Sequence, residues 1–387
     1  MPSPLINLAT PDVLLVKGPA SVVCEGTVFV LGMDACQKEV NVRAGKVLPF
    51  ETSGDSKARI RLGKGGNYRL VSDSKLGVSI WKDVASTVAA HRPKCIMLVG
   101  ATDTGKSTLA TYLSNIAVAN GLKVSIVDGD VGQGDLAPPG CIGAAKIGEQ
   151  FLDLRNVNAE HYSFIGATSP RRVESIVIGS IKDIVHKLSA RSDICIVNTD
   201  GYIDEHGIDY KIELAKTLKP DLIVYLGNPA KARRLLDEFK GRIMHVDAPV
   251  RVSKTHRERE KRRLDQYSRF VESGSKVTFG IRSKKFGLMG RIYDMILANG
   301  LIRLGSAKFP ARFLHGMFVG LSNAGNVKGF GIIVKVAYSR MTVKAQYEGD
   351  FDTVLLSTVR LSRDMRHEYQ LPLVVNAKHR SEYPALS

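Results

Sequence analysis

A chain of 387 residues that is 44% hydrophobic and 24% charged has the composition of an ordinary globular protein, long enough for two or three domains with real cores. No apolar stretch approaches the ~18–20 residues that span a bilayer, which excludes a helical membrane protein. The formal charge of +17 points instead to polyanionic partners: nucleic acid, nucleotides or an anionic surface.

Taken in chain order, MPSPLINLATPDVLLVKG lacks a basic stretch leading into an apolar one, so no secretion signal is read and a cytoplasmic location is expected. Residues 12–82 then read as strands: VLLVKG, SVVCEG, TVFVLG, KVLPFE, ARIRLG and VSIW are short β-rich runs broken by glycine and turn residues. GKGGN at 63–67 resembles a phosphate loop only superficially, because no helical pattern opens after it. The five cysteines (Cys24, Cys36, Cys95, Cys141, Cys195) form no C-x-x-C pair, against both a disulfide framework and a zinc site.

The texture changes after residues 84–94. CIMLVG (95–100) is a continuous apolar run, as in a strand buried on both faces, and STLATYLSNIAVAN has helical periodicity up to Gly121. KVSIVD, SDICIVNTD and PDLIVYLG are further strands, separated by helical segments such as RVESIVIGSIKDIVHKLSA (172–190). This alternation predicts an α/β domain with a parallel sheet. From about 290 the β texture returns in RIYDMILA, HGMFVGLS, GFGIIVKVAYS and TVLLSTVRLS, with a polar tail expected to be disordered at 378–387. The expected organisation is an N-terminal β domain at 1–85, a phosphate-loop domain at 86–289 and a C-terminal β-rich domain at 290–387.

GATDTGKST (100–108) fits the pattern G-x-x-x-x-G-K-[ST], between a buried strand and a helix as the motif requires. Gly100, Thr102, Asp103, Thr104 and Gly105 form the loop whose N–H groups turn toward phosphate oxygens, and the helix start adds its dipole. Lys106 reaches the β- and γ-phosphates, the Ser107 hydroxyl can ligate Mg²⁺, and Thr108 caps or pairs nearby. No N-K-x-D run that reads guanine is present; GNPAKARR (227–234) is the nearest candidate for the base pocket. Asp128 and Asp130 follow the next strand at its carboxyl end, where ligands of open α/β sheets bind, so both face the nucleotide. Asp128 is read as supporting the Mg²⁺ shell and Asp135 as part of a solvated turn.

GATDTGKST, DGDVGQGD (128–135), APPG (137–140), GATSP (166–170) and VNTDGY (197–202) together resemble the polynucleotide 5′-hydroxyl kinases, the RNA kinases of eukaryotic RNA processing and their archaeal relatives. The resemblance covers the whole chain and implies the same layout of β domain, phosphate-loop kinase domain and β domain. It implies that ATP and Mg²⁺ are bound, with Ser107, Asp128 and Asp130 toward the metal. Asp130 would activate the 5′-hydroxyl with Gln133 beside it, and Thr199, Gly201 and Tyr202 would match a T-x-G-W clasp that stacks the terminal base. Tyr202 departs from that pattern by standing where tryptophan is usual.

VRVSKTHREREKRR (250–263) carries seven Lys/Arg against two Glu. Its bland reading is a solvated helix with pairs such as Glu258–Arg262. Its functional reading is a basic lid near 250–270, matching an arginine-bearing lid of the resembled family. Arg259 and Arg263 would lie one turn apart with Arg257 half a turn behind, toward nucleotide or nucleic acid. The expected activity is ATP-dependent phosphorylation of RNA, and also DNA, 5′-hydroxyl ends. An ATP-binding scaffold and a phosphate-loop switch unrelated to nucleic acid are the alternatives.

Overall fold

The computed structural model describes residues 4–73, 78–248 and 255–371. The tail at 378–387 and residues 250–254 of the basic segment lie outside the described residues. Contacts gather the chain into two compact units, one with residues up to 127, 145–158 and 185–248, the other with 128–144, 159–184 and 255–371.

The first unit begins with nine strands: β1 (Leu5–Leu8), β2 (Asp12–Lys17), β3 (Ala20–Glu25), β4 (Val28–Val30), β5 (Met33–Asp34), β6 (Glu39–Val42), β7 (Val47–Thr52), β8 (Ser56–Leu62) and β9 (Asn67–Ser72). They form two sheets, in the orders β1-β8-β3-β6 and β5-β4-β7-β2-β9. β8 shows the period-two pattern of a half-buried strand, with Ser56, Ala58 and Ile60 inward and Lys57, Arg59 and Arg61 outward. VSIW, expected as a strand, instead opens helix α1 (Val78–His91). Trp81, Val84, Ala85 and Val88 recur at i, i+3, i+4 and i+7 and are buried, so helical spacing over the longer segment overrides the short apolar run. The boundary expected at 85/86 falls inside this helix.

The central segment supplies β10 (Cys95–Gly100), α2 (Lys106–Ala119), β11 (Val124–Gly129), β12 (Cys141–Ile147), β13 (His161–Phe164), α3 (Glu174–Ser189), β14 (Ile194–Thr199), α4 (Glu205–Leu218), β15 (Leu222–Leu226), α5 (Arg233–Glu238) and β16 (Ile243–Val246). In the first unit the strands lie in the order β11-β14-β10-β15-β16. β10 runs parallel to β14 and β15, and β15 parallel to β16. Ile96 to Val99 are fully buried, as the uninterrupted apolar run demands of a central parallel strand. That strand delivers the phosphate loop at its carboxyl end.

In the second unit β12 and β13 pair antiparallel, and helix α6 (His256–Val271) carries the basic residues from Arg257 to Arg263. The C-terminal strands are β17 (Ser275–Gly280), β18 (Lys285–Leu288), β19 (Arg291–Tyr293), β20 (Met295–Ala298), β21 (Leu301–Leu304), β22 (Ala307–Pro310), β23 (Met317–Asn323), β24 (Asn326–Ala337), β25 (Arg340–Tyr347), β26 (Thr353–Leu361) and β27 (Glu368–Gln370). Most of them build one sheet, β17-β25-β24-β23-β26-β18-β19, with β27 on β26 and a small sheet β20-β21-β22 beside the path. α6 buries Tyr267 and Val271 in a core with Phe318 and Phe330, the Tyr267 and Phe318 rings edge-on at 4.8 Å. The fold is α/β with β-rich flanks, as expected.

Candidate active site

The phosphate loop is shaped by two left-handed residues, Asp103 at φ 61° and Gly105 at φ 92°. Alternation of this kind turns successive N–H groups to one side and makes an anion-binding concavity. Gly100 permits the close approach of β15: a Cβ there would meet the Leu226 carbonyl oxygen at 2.4 Å and Thr104 Oγ1 at 2.8 Å. The buried Thr104 hydroxyl donates to the Ala101 carbonyl at 2.9 Å and closes the loop. Lys106 opens α2 and is folded back over the loop, its ammonium donating to the carbonyls of Gly100 at 2.8 Å and Ala101 at 2.7 Å. Ser107 receives a bond at 3.1 Å from the Asn198 side-chain amide, which β14 holds opposite Leu98. Thr102, exposed, and Thr108 complete the stretch.

The donor set fits Mg²⁺. That small cation takes hard oxygens, keeps several waters and is bound through one or two protein groups plus substrate phosphates. Ser107 offers a positioned hydroxyl, and among the described residues no cluster of three or more acidic, His or Cys side chains forms a protein cage.

The NTDGY stretch leaves β14 in the same unit. Thr199 is fully buried and its hydroxyl donates to the Leu98 carbonyl at 2.8 Å, so it ties two strands together rather than facing solvent. Gly201 packs on the phosphate loop: a Cβ there would lie 2.5 Å from the Thr102 nitrogen. Tyr202 is half-buried, its N–H donates to Asp200 Oδ1 at 2.9 Å, and a Cβ on Gly207 would meet its backbone at 2.6 Å. Asp200 Oδ2 accepts from the Tyr210 hydroxyl at 3.0 Å and stands 2.9 Å from the Lys211 ammonium. Sequence reasoning missed Asp200, Gly207, Tyr210 and Lys211. Lys211 had a signal, because it lies on the stripe of α4 that buries Ile208, Leu214 and Ala215, and a buried lysine requires an acidic partner.

In the second unit the D-V-G-Q-G turn is held by its own aspartates. Asp130 Oδ1 accepts from the N–H of Gly132 at 3.0 Å and Gln133 at 2.9 Å. The buried Asp128 uses Oδ2 on the N–H of Asp135 at 2.6 Å and Leu136 at 3.3 Å, so it shapes the turn first. Gly132 approaches the chain at GATSP, where a Cβ would meet the Thr168 carbonyl at 2.8 Å.

Asp135, expected in a solvated turn, is buried, because α6 grips it. Arg262 Nη2 reaches both carboxylate oxygens at 2.8 Å, while Gln266 at 2.7 Å and Arg269 at 3.0 Å donate to the Asp135 carbonyl. Burial opposes the Arg262 charge, but Asp135, with Asp130 and Asp128 behind it, outweighs burial and holds the guanidinium pKa above its ordinary value. The basic helix, expected as a lid over the nucleotide, is thus seated on the end of the D-V-G-Q-G turn. Gln133 Nε2 donates to the Arg259 carbonyl at 3.5 Å, and Arg263 is committed to Glu368. Arg257 is exposed near the start of α6. Glu258, read as a partner for Arg262, forms a capping box with Thr255.

Residues 100–273 match the family model of the mRNA cleavage and polyadenylation factor CLP1 P-loop. The chain is 28% identical over 230 residues to a polyribonucleotide 5′-hydroxyl-kinase of Pyrococcus horikoshii, covering 59% of this chain and 64% of the relative. It is 30% identical to a namesake of Methanocaldococcus jannaschii (51% and 56% covered) and 29% identical to the Clp1 polyribonucleotide 5′-hydroxyl-kinase of Rattus norvegicus (41% and 39% covered). The matches therefore span less than two thirds of these relatives. A solved Clp1p–Pcf11p complex contains a chain that superposes with a TM-score of 0.69 at 14% identity, over 93% of this chain and 99% of that one, which shows a shared fold. The resemblance carried by the motifs holds: the chain is similar to the polyribonucleotide 5′-hydroxyl kinases.

Proposed function

We propose that this chain is an ATP-dependent kinase that transfers the γ-phosphate to the 5′-hydroxyl end of RNA, and also accepts DNA ends. The observation that carries the reading is the folded phosphate loop with Lys106 laid over it. A D-V-G-Q-G turn whose Asp130 carboxylate is pinned by two backbone N–H groups supports it, as do the names of the relatives. In the proposed reaction the 5′-oxygen bonds to the γ-phosphorus as the bond from that phosphorus to the β–γ bridging oxygen breaks and ADP leaves. Asp130 takes the hydroxyl proton, with Gln133 placing the acceptor. Lys106 and the loop N–H groups stabilise charge on the phosphates.

Mg²⁺ would be held by Ser107, with Asp128 and Asp130 on its water side, and would neutralise charge on the phosphate oxygens. Tyr202 would stack the terminal base, positioned through Asp200 and Gly207. Of the lid arginines, Arg259 is the one proposed to face the transferring group and Arg257 the nucleic acid, because Arg263 is held by Glu368. We keep the three-part division at 1–85, 86–289 and 290–387 as a functional one. We also propose a cytoplasmic protein, in keeping with free cysteines throughout; no helix of the described residues is long and apolar enough to cross a membrane.

The test is transfer of label from γ-labelled ATP to a short oligoribonucleotide with a free 5′-hydroxyl. Transfer that disappears in Lys106→Ala and Asp130→Asn, and on chelation of Mg²⁺, supports the reading. ATP binding without transfer to any 5′-hydroxyl end would leave a nucleotide-binding scaffold. Tyr202→Ala is expected to act mainly on KM for nucleic acid, and an unchanged KM would remove the clasp.

A further inference from the structure

β8 carries Lys57, Arg59 and Arg61 at alternate positions, all exposed, so strand geometry sets them on one face at steps of about 6.6 Å. Cations on strands often guard a sheet edge against pairing with another chain. That explanation fails here, because β8 is bonded on one side to β1 and on the other to β3. Among the described residues none of the three forms an ion pair. The carboxylates of this face are Glu25, in register with Lys57, and Glu39, which accepts from the Ser21 hydroxyl. Arg59 is flanked in register by Leu5 and Val23, 51% and 39% exposed. Beyond Arg61 the ladder enters a groove of about 480 Å³ that adds Asn41, Lys46 and Arg43, the last paired with Asp153.

We propose that this face is a track for the sugar–phosphate backbone of single-stranded nucleic acid. Three cations carried on backbone positions at a step close to the separation of successive phosphates in an extended strand favour a regular polyanion lying along β8. None of the four strands of the sheet contains an aromatic residue, so bases are not stacked here and the track binds without reading sequence. The inference rests on the kinase reading for the class of ligand, and its test is separable from that reading.

The test is fluorescence anisotropy with a 3′-labelled oligouridylate of about 20 nucleotides, titrated from about 50 to 300 mM KCl. Each phosphate contact on a single strand contributes about 0.7 to the slope of log affinity against log salt. Lys57→Gln/Arg59→Gln/Arg61→Gln is therefore expected to flatten that slope by about 2 and to weaken binding at the low-salt end by about tenfold or more. The charge-conserving Lys57→Arg/Arg59→Lys/Arg61→Lys should keep the wild-type slope, and matching unfolding midpoints show that each variant folds. An unchanged slope in the glutamine variant overturns the proposal. So does an equal loss with a duplex of the same length, or polyglutamate competing as well as the oligonucleotide, which would assign the face to an acidic protein. A flattened slope in a protein that transfers no phosphoryl group would sink the kinase reading and leave the track standing.

Discussion

Asp135 and Arg262 show how far a single side chain can differ from its local reading. The sequence around Asp135 is glycine-rich and acidic, the signature of an exposed turn, yet the carboxylate is buried against a guanidinium 127 residues away. Removing one partner of such a pair strands the other charge in a poorly solvated site, at a cost of about 3–5 kcal/mol. Asp135→Ala should therefore lower the unfolding free energy measured by urea titration by that order, whereas an exposed control such as Asp237→Ala should barely change it. Glu51 gives the pH dependence. Burial raises its carboxyl pKa above the ordinary value, Lys82 at 3.0 Å draws it down only in part, and Asp73 adds to the rise. A carboxyl raised in the folded state binds its proton more tightly than in the unfolded chain. Its contribution to stability is complete below the unfolded value of 4.5 and is lost as pH rises through the folded one. Glu51→Gln should thus raise the melting temperature at pH 7 and change it little near pH 4.5; the opposite ordering would mean that the Lys82 pair dominates.

Helix α2 illustrates the scale of the element. Its first turn, set by Gly105 and Lys106, was readable from the motif alone, but its other end carries an attachment that no periodicity reveals. Asn115 is fully buried, donates to the carbonyls of Leu31 and Phe151 at 2.8 Å each, and accepts from the Phe151 N–H at 2.9 Å. One side chain thus fastens the phosphate-loop helix to the N-terminal strands within the first unit. Asn115→Leu would strand buried backbone groups, each costing about 1–3 kcal/mol. The measurable outcome is a fall of about 3 kcal/mol or more in unfolding free energy. α6 shows the converse case. T-x-x-E at 255–258 is a capping box visible in the sequence and marks where the helix starts. Its cationic face was legible as charge, but not its destination: Arg262 on Asp135, Arg263 on Glu368 and Arg269 on the Asp135 carbonyl.

At the scale of the molecule, the thiols report how tightly the interior of each unit is packed. Burial pushes Cys95 up to about 12, with Asp221 nearby adding to it, and Cys24 up to about 11, with Cys36 adding. Burial also raises Cys141 and Cys195 well above the ordinary thiol value, with Cys95 adding to the rise of Cys195. Thiolates are the reactive species, so these four, including Cys95, which is half-buried like Cys36 but held as the thiol, should resist Ellman's reagent in the native protein at pH 8, leaving Cys36 to react. Rapid release of more than one equivalent before denaturant is added would contradict the buried strands that carry them. The charge of +17 is likewise a whole-chain quantity that acquires a place only in three dimensions, as the β8 ladder and the clamp of α6 on Asp135 show.

Local patterns determined the class and order of the elements. Uninterrupted apolar runs between helical segments read as central parallel strands, the G-x-x-x-x-G-K-S spacing between strand and helix reads as a phosphate loop, and alternation marks the flanking β regions. The VSIW segment was misread because four residues cannot separate a strand from a helix turn, whereas fourteen can. Motif resemblance also pointed to residues of the candidate site, but not to Asp200, Gly207, Tyr210 or Lys211. Tertiary structure alone decided what each charged or polar group in those motifs does. Thr199 ties strands, Asp200 is bound to Lys211, Asp128 shapes its turn, and the basic helix is anchored to the acidic loop. The physical reason is that ion pairs and buried hydrogen bonds join residues distant in the chain. Thr199 and Leu98 are 101 positions apart and Arg262 and Asp135 are 127 apart, separations that leave no trace in local periodicity or composition.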